Sequence, residues 1–199
     1  MVTRNSPCNI LTARKMKKTM MAAAALMLLM MTAVALTGCG SDGDDDNTPK
    51  PDDTTPVAAV MDYSLTVGDD MLSLLDLTVE YYDADGKVQT EPLTQKSWKK
   101  SVRAKLPATL GARLKMQLKD GADPASLTQF TASYGYNYNG YAVSATDKVV
   151  GNIVNSGTDT NLAMQGDKVT TWLEHHTDGL VKFLYNFAAN GQATSSNWQ

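Results

Sequence analysis

The stretch Leu74–Tyr82, LLDLTVEYY, indicates the fold class most directly. Within it, apolar residues alternate with Asp, Thr and Glu. Alternation with a period of two and one polar face is typical of an antiparallel strand that covers a core. The preceding stretch 59–67, AVMDYSLTV, repeats the same pattern. Two such segments close together predict a domain built mainly from β-strands.

Segments with similar alternation continue along the chain. The turn Asp83–Gly86 contains Asp-Gly, which readily adopts positive φ, and it predicts a hairpin. A second hairpin is predicted to turn near Ala108. Further strands are predicted at 87–93, 97–106, 110–119, 127–138 and 141–150. A polar loop is predicted after them at 155–161, NSGTDTN.

Residues 168–188 fit two interpretations. Apolar residues recur at helical spacing over the whole segment, which favours one amphipathic helix. However, Asp178-Gly179 interrupts it, and a glycine inside a helix costs about 1 kcal/mol relative to alanine. Beyond this glycine, aromatic and apolar residues alternate as in a strand. We favour a short helix over Lys168–His176, capped by Asp167 and followed by a strand.

Together these segments predict a mainly β fold. The expected architecture is an antiparallel β-sandwich of immunoglobulin-like type with one short helix in its C-terminal half. A meander barrel of the lipocalin-like type is the alternative. A single β-rich domain is expected over residues 57–190, and residues 191–199 are expected to form a flexible tail.

The N-terminus predicts a targeting segment, because basic residues precede an apolar run over Met20–Leu36. The run approaches the length of a membrane span, so a retained anchor is the alternative. The sequence Leu36-Thr37-Gly38-Cys39 resembles the lipobox of bacterial lipoproteins, in which the signal is cut just before a lipidated cysteine. The resemblance implies a signal peptide over residues 1–38, with Met16 as an alternative start, and lipidation of Cys39.

An acidic cluster follows this cysteine: Asp42, Asp44, Asp45 and Asp46. It resembles the export signal of surface lipoproteins in Bacteroides-type bacteria, and the chain as a whole resembles small uncharacterised lipoproteins of that group. The resemblance implies a protein anchored by lipid in the outer membrane and exposed at the cell surface. A location facing the periplasm is the alternative. Residues 39–56 are predicted to be a disordered acidic linker, and the aspartates also serve as spacing charges.

A chain that begins at Cys39 retains 13 basic and 21 acidic residues, a net charge of −8. This balance argues against nucleic acid as a partner, since phosphates require a basic surface. Five basic residues near the predicted second hairpin define a candidate anion-binding face: Lys99, Arg103, Lys105, Arg113 and Lys115. Like charges opposite each other on paired strands are unfavourable. Either an anionic ligand or the neighbouring Asp76 and Glu80 must compensate them.

Three tyrosines of one predicted strand, Tyr134, Tyr136 and Tyr138, form either a stacking platform for sugars or part of the core. The adjacent histidines are expected to be exposed at His175 and at the edge of the core at His176. The turn at Asp83 lacks the third acid and the glutamate of a calcium loop. No catalytic, metal or cofactor motif is recognisable.

These features predict a surface binding or interaction module without catalytic activity, whose partner is a glycan or a protein. A structural component of the envelope or of a filament is the second hypothesis, and it requires an unpaired edge strand. A hydrolase is the third, and it requires a cleft with converging titratable groups.

Overall fold

The computed structural model describes residues 53–198, and within this range the chain is a β-sandwich of two antiparallel sheets. The strands are β1 (Ala58–Val67), β2 (Leu75–Tyr82), β3 (Val88–Pro92), β4 (Ser97–Lys105), β5 (Ala108–Leu118), β6 (Phe130–Val143), β7 (Val149–Met164), β8 (Leu180–Phe187) and β9 (Ala193–Ser196). Sheet A has the order β4-β1-β6-β7, and sheet B has the order β3-β2-β5-β8-β9. The predicted sandwich is therefore confirmed.

The strand order distinguishes this sandwich from both named types. In immunoglobulin domains the first and second strands are neighbours in one sheet. Here β1 and β2 lie in different sheets, and β1 is hydrogen-bonded to β4 and β6 instead. Two separate sheets also replace the single closed meander of a barrel of the lipocalin type.

The apolar faces predicted for β1 and β2 form the centre of the core. Met61, Tyr63 and Leu65 are at most 3% exposed, while the intervening side chains of β1 point away from the core. Each fully buried apolar side chain contributes about 1.5–3 kcal/mol relative to an exposed one. The core contains one cluster around Phe130 and a second around Phe187.

The hairpin predicted near Ala108 does not form. β4 ends at Lys105, which lies opposite Ala58 of β1 in sheet A. β5 begins at Ala108, which lies opposite Phe187 of β8 in sheet B. The two residues Leu106-Pro107 therefore carry the chain from one sheet to the other. The alternation of apolar and polar residues predicts both strands correctly. Two strands paired in one sheet and two strands facing each other across a core show the same alternation, so the pattern does not predict a hairpin.

Short helical segments contribute to the core cluster around Phe130. They are α1 (Asp69–Leu74), α2 (Val169–Glu174) and single 3₁₀ turns at Pro124–Ser126 and Gly166–Lys168. Buried residues from both helices, Met71 and Val169 among them, pack in this cluster. α1 was not predicted.

The helix-plus-strand interpretation of residues 168–188 is confirmed by α2 and β8. The predicted cap is wrong in detail. α2 begins after Lys168 without a side-chain cap, and Asp167 instead lies within the 3₁₀ turn, where its Oδ2 is 3.0 Å from Lys168 Nζ.

The polar loop predicted at 155–161 is wrong, because these residues belong to β7. β7 pairs with β6 from Met164 opposite Phe130 to Ile153 opposite Tyr141. Its residues are exposed or half-buried on both faces. The sequence therefore lacks the contrast between apolar and polar positions by which a strand is recognised. β7 is an edge strand of sheet A.

The C-terminal residues 193–198 are packed on sheet B and do not form the predicted flexible tail. β9 pairs with the second half of β8. The Trp198 ring centroid lies 5.0 Å from that of Tyr82, and the Arg113 guanidinium lies 4.7 Å from the Trp198 ring centroid. The folded domain thus extends past residue 190 to Trp198.

The predicted signal peptide, Cys39 and the acidic cluster of Asp42, Asp44, Asp45 and Asp46 lie outside the described residues, as does most of the predicted linker. Those assignments stay predictions. In the range 53–198, no helix is long and apolar enough to cross a membrane.

Candidate functional site

The five residues of the predicted anion-binding face lie on two opposite surfaces of the sandwich. Side chains alternate between the two faces of a strand, and β4 and β5 each bury one face against the core. The outer face of sheet A carries Lys99, Arg103 and Lys105, and the outer face of sheet B carries Arg113 and Lys115. These side chains cannot contact one anion together, so the predicted single face does not form.

Both arginines of this set have acidic partners close by. Arg113 Nε lies 2.6 Å from Glu80 Oε2, and the two residues are directly opposite each other on β5 and β2. Arg103 Nη1 lies 2.6 Å from Asp147 Oδ1. Glu80 thus compensates Arg113 as one of the two alternatives expected, whereas Arg103 is paired with Asp147, which the sequence did not indicate.

The tyrosines of β6 belong to the core and not to an exposed platform. Tyr134 and Tyr136 are half-buried against the core clusters, and Tyr138 is 6% exposed. Tyr138 stacks on Phe183 with ring centroids 4.2 Å apart, and its hydroxyl lies 2.8 Å from that of Tyr185. Burial, followed by this hydrogen bond, raises the pKa of Tyr138 above its usual range. The core-packing alternative is therefore the one that the fold adopts.

The histidines take the positions that the sequence predicted. His175 is exposed, and His176 is half-buried with its ring centroid 5.1 Å from that of Trp172. His176 Nδ1 lies 2.7 Å from the Trp172 carbonyl oxygen. Within residues 53–198, no group of three or more His, Cys, Asp or Glu side chains is placed to hold a metal ion.

Asp83 stabilises the hairpin turn between β2 and β3. Its Oδ1 accepts hydrogen bonds from the backbone N–H groups of Asp85 and Lys87, each at 2.9 Å, and its Oδ2 accepts one from Gln89 Nε2 at 2.6 Å. These bonds, that from Lys87 first, lower the pKa of Asp83. Gly86 has a φ of 74°, as a turn ending in Asp-Gly requires. The carboxylate is thus committed to the turn.

Glu91 connects the edge strands β3 and β4 and closes one side of the sandwich. Its carboxylate accepts hydrogen bonds from Tyr81 Oη at 2.8 Å, Trp98 Nε1 at 2.7 Å and Lys100 Nζ at 2.6 Å. The bond from Lys100, followed by that from Trp98, lowers the pKa of Glu91 to about 2. With three donors on one carboxylate, this group is a structural clasp between the two sheets.

We expect Glu91→Gln to lower the free energy of unfolding at neutral pH by about 1–2 kcal/mol, because hydrogen bonds to a charged acceptor contribute about 1.5–3 kcal/mol and partial exposure weakens them. A depressed pKa means that the contribution is present above the ordinary pKa of 4.5 and is lost as the pH falls towards 2. Urea denaturation across this pH range should therefore show a steeper loss of stability in the wild type. Parallel curves for the two proteins would contradict the role given to Glu91.

A cleft of about 830 Å³ lies along the outer face of sheet B and reaches the crossing between the sheets, where Lys105 at the end of β4 also lines it. Thr109, Leu184 and Asn186, on the neighbouring strands β5 and β8, form part of its lining. The turn 83–86 contributes on the β2 side, and residues between 192 and 197 contribute on the β9 side. The volume lies within the range of about 300–1,000 Å³ that is usual for small-molecule sites.

Six residues with neutral hydrogen-bonding groups line this cleft: Thr109, Asn186, Gln192, Thr194, Ser196 and Asn197. Thr109 Oγ1 donates to Asn186 Oδ1 at 2.8 Å, so the amide nitrogen of Asn186 remains as a donor. The charged residues of the lining are Asp83, Asp85 and Lys105, and Asp83 is already committed to its turn. Among the residues that the structure describes, neither histidine nor glutamate lines the cleft. Its chemistry suits the recognition of a polar ligand.

Two shallower depressions of about 390 and 300 Å³ lie on the outer face of sheet A, along β1, β6 and β7. Gly135 leaves room there for a side chain of the neighbouring strand. A Cβ atom at this glycine would collide with the Asp159 carboxylate and approach Thr66 Oγ1 to 2.7 Å. The Asp159 carboxylate thus occupies the space beside Gly135 on the outer face of sheet A.

Of the cleft residues, only Lys105 belongs to a site predicted from the sequence. Thr109 and Asn186 are 77 positions apart, and no local motif relates them. The one sequence signal for the β9 side is the late aromatic Trp198, which packs beside Tyr82.

Comparison with protein-family models, with curated proteins and with solved structures finds no match for the chain, so the geometry of the described residues carries the functional argument.

Proposed function

We propose that the protein is an outer-membrane lipoprotein, anchored through Cys39 and exposed at the cell surface, whose β-sandwich is a binding module without catalytic activity. The observation that carries the proposal is the cleft on sheet B, with its neutral hydrogen-bonding lining. The resemblance of Leu36-Thr37-Gly38-Cys39 to a lipobox supports the anchor.

The ligand class follows from the lining of the cleft. Hydroxyl and amide side chains recognise hydroxyl groups, and a neutral oligosaccharide presents such groups along its length. Six neutral polar residues and two uncommitted charged ones, Asp85 and Lys105, favour a neutral glycan over a polyanion. The net charge of −8 expected after cleavage disfavours a polyanion as well.

The linker gives the module its distance from the membrane. Residues 40–56 contain only polar residues, glycine and proline. Such a segment spans at most about 56 Å when extended, at roughly 3.3 Å per residue. The first strand, β1, begins at Ala58, directly after it. A segment of this composition is expected to separate the cleft from the lipid surface.

The test is binding of the full-length protein in detergent to an array of neutral and acidic oligosaccharides. Replacing Asn186 with Ala should weaken the binding of a neutral glycan about tenfold, because one lost hydrogen bond of about 1.4 kcal/mol changes the affinity by that factor. The matched control is Asn137→Ala, an exposed asparagine on the outer face of sheet A. It should leave the affinity unchanged.

Salt gives a second criterion. Binding of a neutral glycan should persist as the ionic strength rises, whereas charge-driven binding weakens once exposed charges are screened beyond about 8 Å. Binding to no neutral glycan, or an equal loss in both asparagine variants, would remove the cleft as the site.

A second function, that of a structural envelope component, is favoured by β7. Within residues 53–198, the edge of β7 (Val149–Met164) away from β6 pairs with no other strand, which is the feature that an assembly module requires.

A further inference from the structure

The free edge of β7 is long and almost without charge. Over Val149–Met164 it carries one charged side chain, Asp159, and neither lysine nor proline. Soluble proteins usually protect edge strands with lysine, proline or a short length, because an open edge pairs with other strands. Three apolar side chains of β7 are also strongly exposed, Val149 at 48%, Ile153 at 58% and Leu162 at 45%. A nearly uncharged edge with exposed apolar side chains favours pairing with another strand.

The backbone groups that face outward on β7 follow from the ladder. The Gly68 N–H donates to the Ser133 carbonyl, so Ser133 directs its backbone groups towards β1. Backbone direction alternates along a strand, and therefore the even-numbered residues of β6 face β7. Those residues pair with even-numbered residues of β7, such as Tyr134 with Thr160. The odd-numbered residues from Ile153 to Ala163 consequently direct their N–H and C=O groups to the open edge.

The sequence of this edge is chemically palindromic about Thr158. In IVNSGTDTNLA, residues 153–163, four of the five pairs of positions at equal distance from Thr158 match in character. Ser156 mirrors Thr160, Asn155 mirrors Asn161, Val154 mirrors Leu162, and Ile153 mirrors Ala163, while Gly157 and Asp159 differ. A strand of this pattern is complementary to an antiparallel copy of itself.

We propose that two copies of the chain associate through antiparallel β7 edges, with a two-fold axis at Thr158. The four-stranded sheet A of each copy then continues into the other as one sheet of eight strands. In this register, the six odd-numbered residues from Ile153 to Ala163 of one copy pair with those of the other. Each hydrogen-bonded pair gives two bonds, which makes about 12 backbone hydrogen bonds in all. The inference is independent of the cleft on sheet B, and it names the partner for the structural role of β7.

The side chains select this register over its neighbours. Thr158 faces Thr158 of the second copy, and cross-strand pairs of threonine are favourable. Leu162 is covered by Val154 of the second copy. Moving the two-fold axis by one residue, which slides the strands past each other by two, would place Asp159 opposite its own counterpart, and like charges directly opposite each other are destabilising. A shift in the other direction would place Ile153 opposite Asn161.

A cysteine at the axis tests the arrangement in the full-length protein in membranes. Thr158→Cys places two thiols in a non-hydrogen-bonded pair, whose Cα atoms are about 4.5 Å apart, within the range that a disulfide spans. Mild oxidation should give a dimer linked through residue 158, identified as a cross-linked peptide by mass spectrometry. The peptide assignment separates this bond from any bond of Cys8 or Cys39.

The matched control is Thr160→Cys, two residues along the same face of β7. In the proposed register, this position faces Ser156 of the second copy and lies about 13 Å from its own counterpart, which is too far for a disulfide. Thr160→Cys should therefore remain unlinked. Equal cross-linking of both variants, or of neither, would overturn the proposal. Cross-linking of residue 158 to a different envelope protein would replace the second copy with that protein.

Charge gives a second measurement that does not depend on oxidation. Thr158→Lys places two lysines opposite each other at the axis, whereas Thr160→Lys places each lysine opposite a serine. Sedimentation of the full-length protein in detergent should show dimers for the wild type and for Thr160→Lys. It should show at least tenfold weaker association for Thr158→Lys, with unchanged circular dichroism. A monomeric wild type, or equal behaviour of the two lysine variants, would overturn the proposal.

Discussion

Truncation of Phe130 to Ala should lower the free energy of unfolding by about 3–5 kcal/mol, the range for removing a buried phenylalanine ring. Phe130 is fully buried at the start of β6, and its ring centroid lies 6.1 Å from that of Trp172 in α2. The ring thus connects sheet A with the helical segment, and its loss leaves a cavity that both must collapse to fill. The measurement is urea denaturation followed by tryptophan fluorescence and by circular dichroism.

Val88→Ala is the control for this experiment. Val88 is 47% exposed on the short edge strand β3, so its truncation should change the free energy of unfolding by no more than about 0.5 kcal/mol. A comparable loss in both variants would mean that Phe130 does not hold the core position described here.

Replacement of Cys39 with Ala should abolish lipid attachment and leave an unprocessed precursor. The thiol is the only group at this position that can form a thioether to a lipid, and in the lipoproteins that this segment resembles, cleavage follows that modification. Metabolic labelling with an alkyne fatty acid, followed by gel analysis, measures both events. The expected change is complete, because one atom carries the linkage.

The chain supplies its own control in Cys8. This residue precedes the apolar run over Met20–Leu36 and falls within the segment expected to be removed. Cys8→Ala should mature and label as the wild type does. If the Cys39 variant still incorporates the fatty acid, the lipoprotein assignment is wrong, and the retained membrane anchor becomes the explanation of the apolar run.

The strands that could be predicted from the sequence are those with one solvent-exposed face and one buried face. In β1 and β2, buried residues such as Leu65 and Val79 alternate with more exposed residues. The alternation of apolar and polar residues in the sequence follows this difference in burial. Alternation specifies which face of a strand is buried. It does not specify which sheet the strand joins, and the hairpin predicted near Ala108 failed for that reason.

Alternation does not reveal edge strands whose two faces are both partly exposed. β7 is exposed or half-buried on both faces, so selection for burial leaves little trace in its sequence. The segment at Ala193–Ser196 is polar for the same reason and becomes a strand only because β8 supplies a ladder. Both segments were predicted as loop or tail, since a backbone that gains its hydrogen bonds from a distant strand has no local signature.

The candidate site was the least predictable part of the molecule. The cleft exists because Thr109 and Asn186 become neighbours across β5 and β8. The predicted basic face does not form, because the crossing at Leu106-Pro107 places Arg103 and Arg113 on opposite surfaces of the sandwich. Site prediction requires the strand order, and the strand order is a property of the whole chain.

The position of β1 determines how the domain bears mechanical load. β1 follows the linker directly, and it is paired along its length with β4 on one side and β6 on the other. A pull from the membrane end acts along the strand axis, perpendicular to the ladder hydrogen bonds. Such a force loads both ladders in shear, so many hydrogen bonds must yield together instead of opening one by one. Under the proposed anchoring at Cys39, the load therefore enters the domain through a strand that is held by two ladders, with nine residue pairs to β4 and ten to β6.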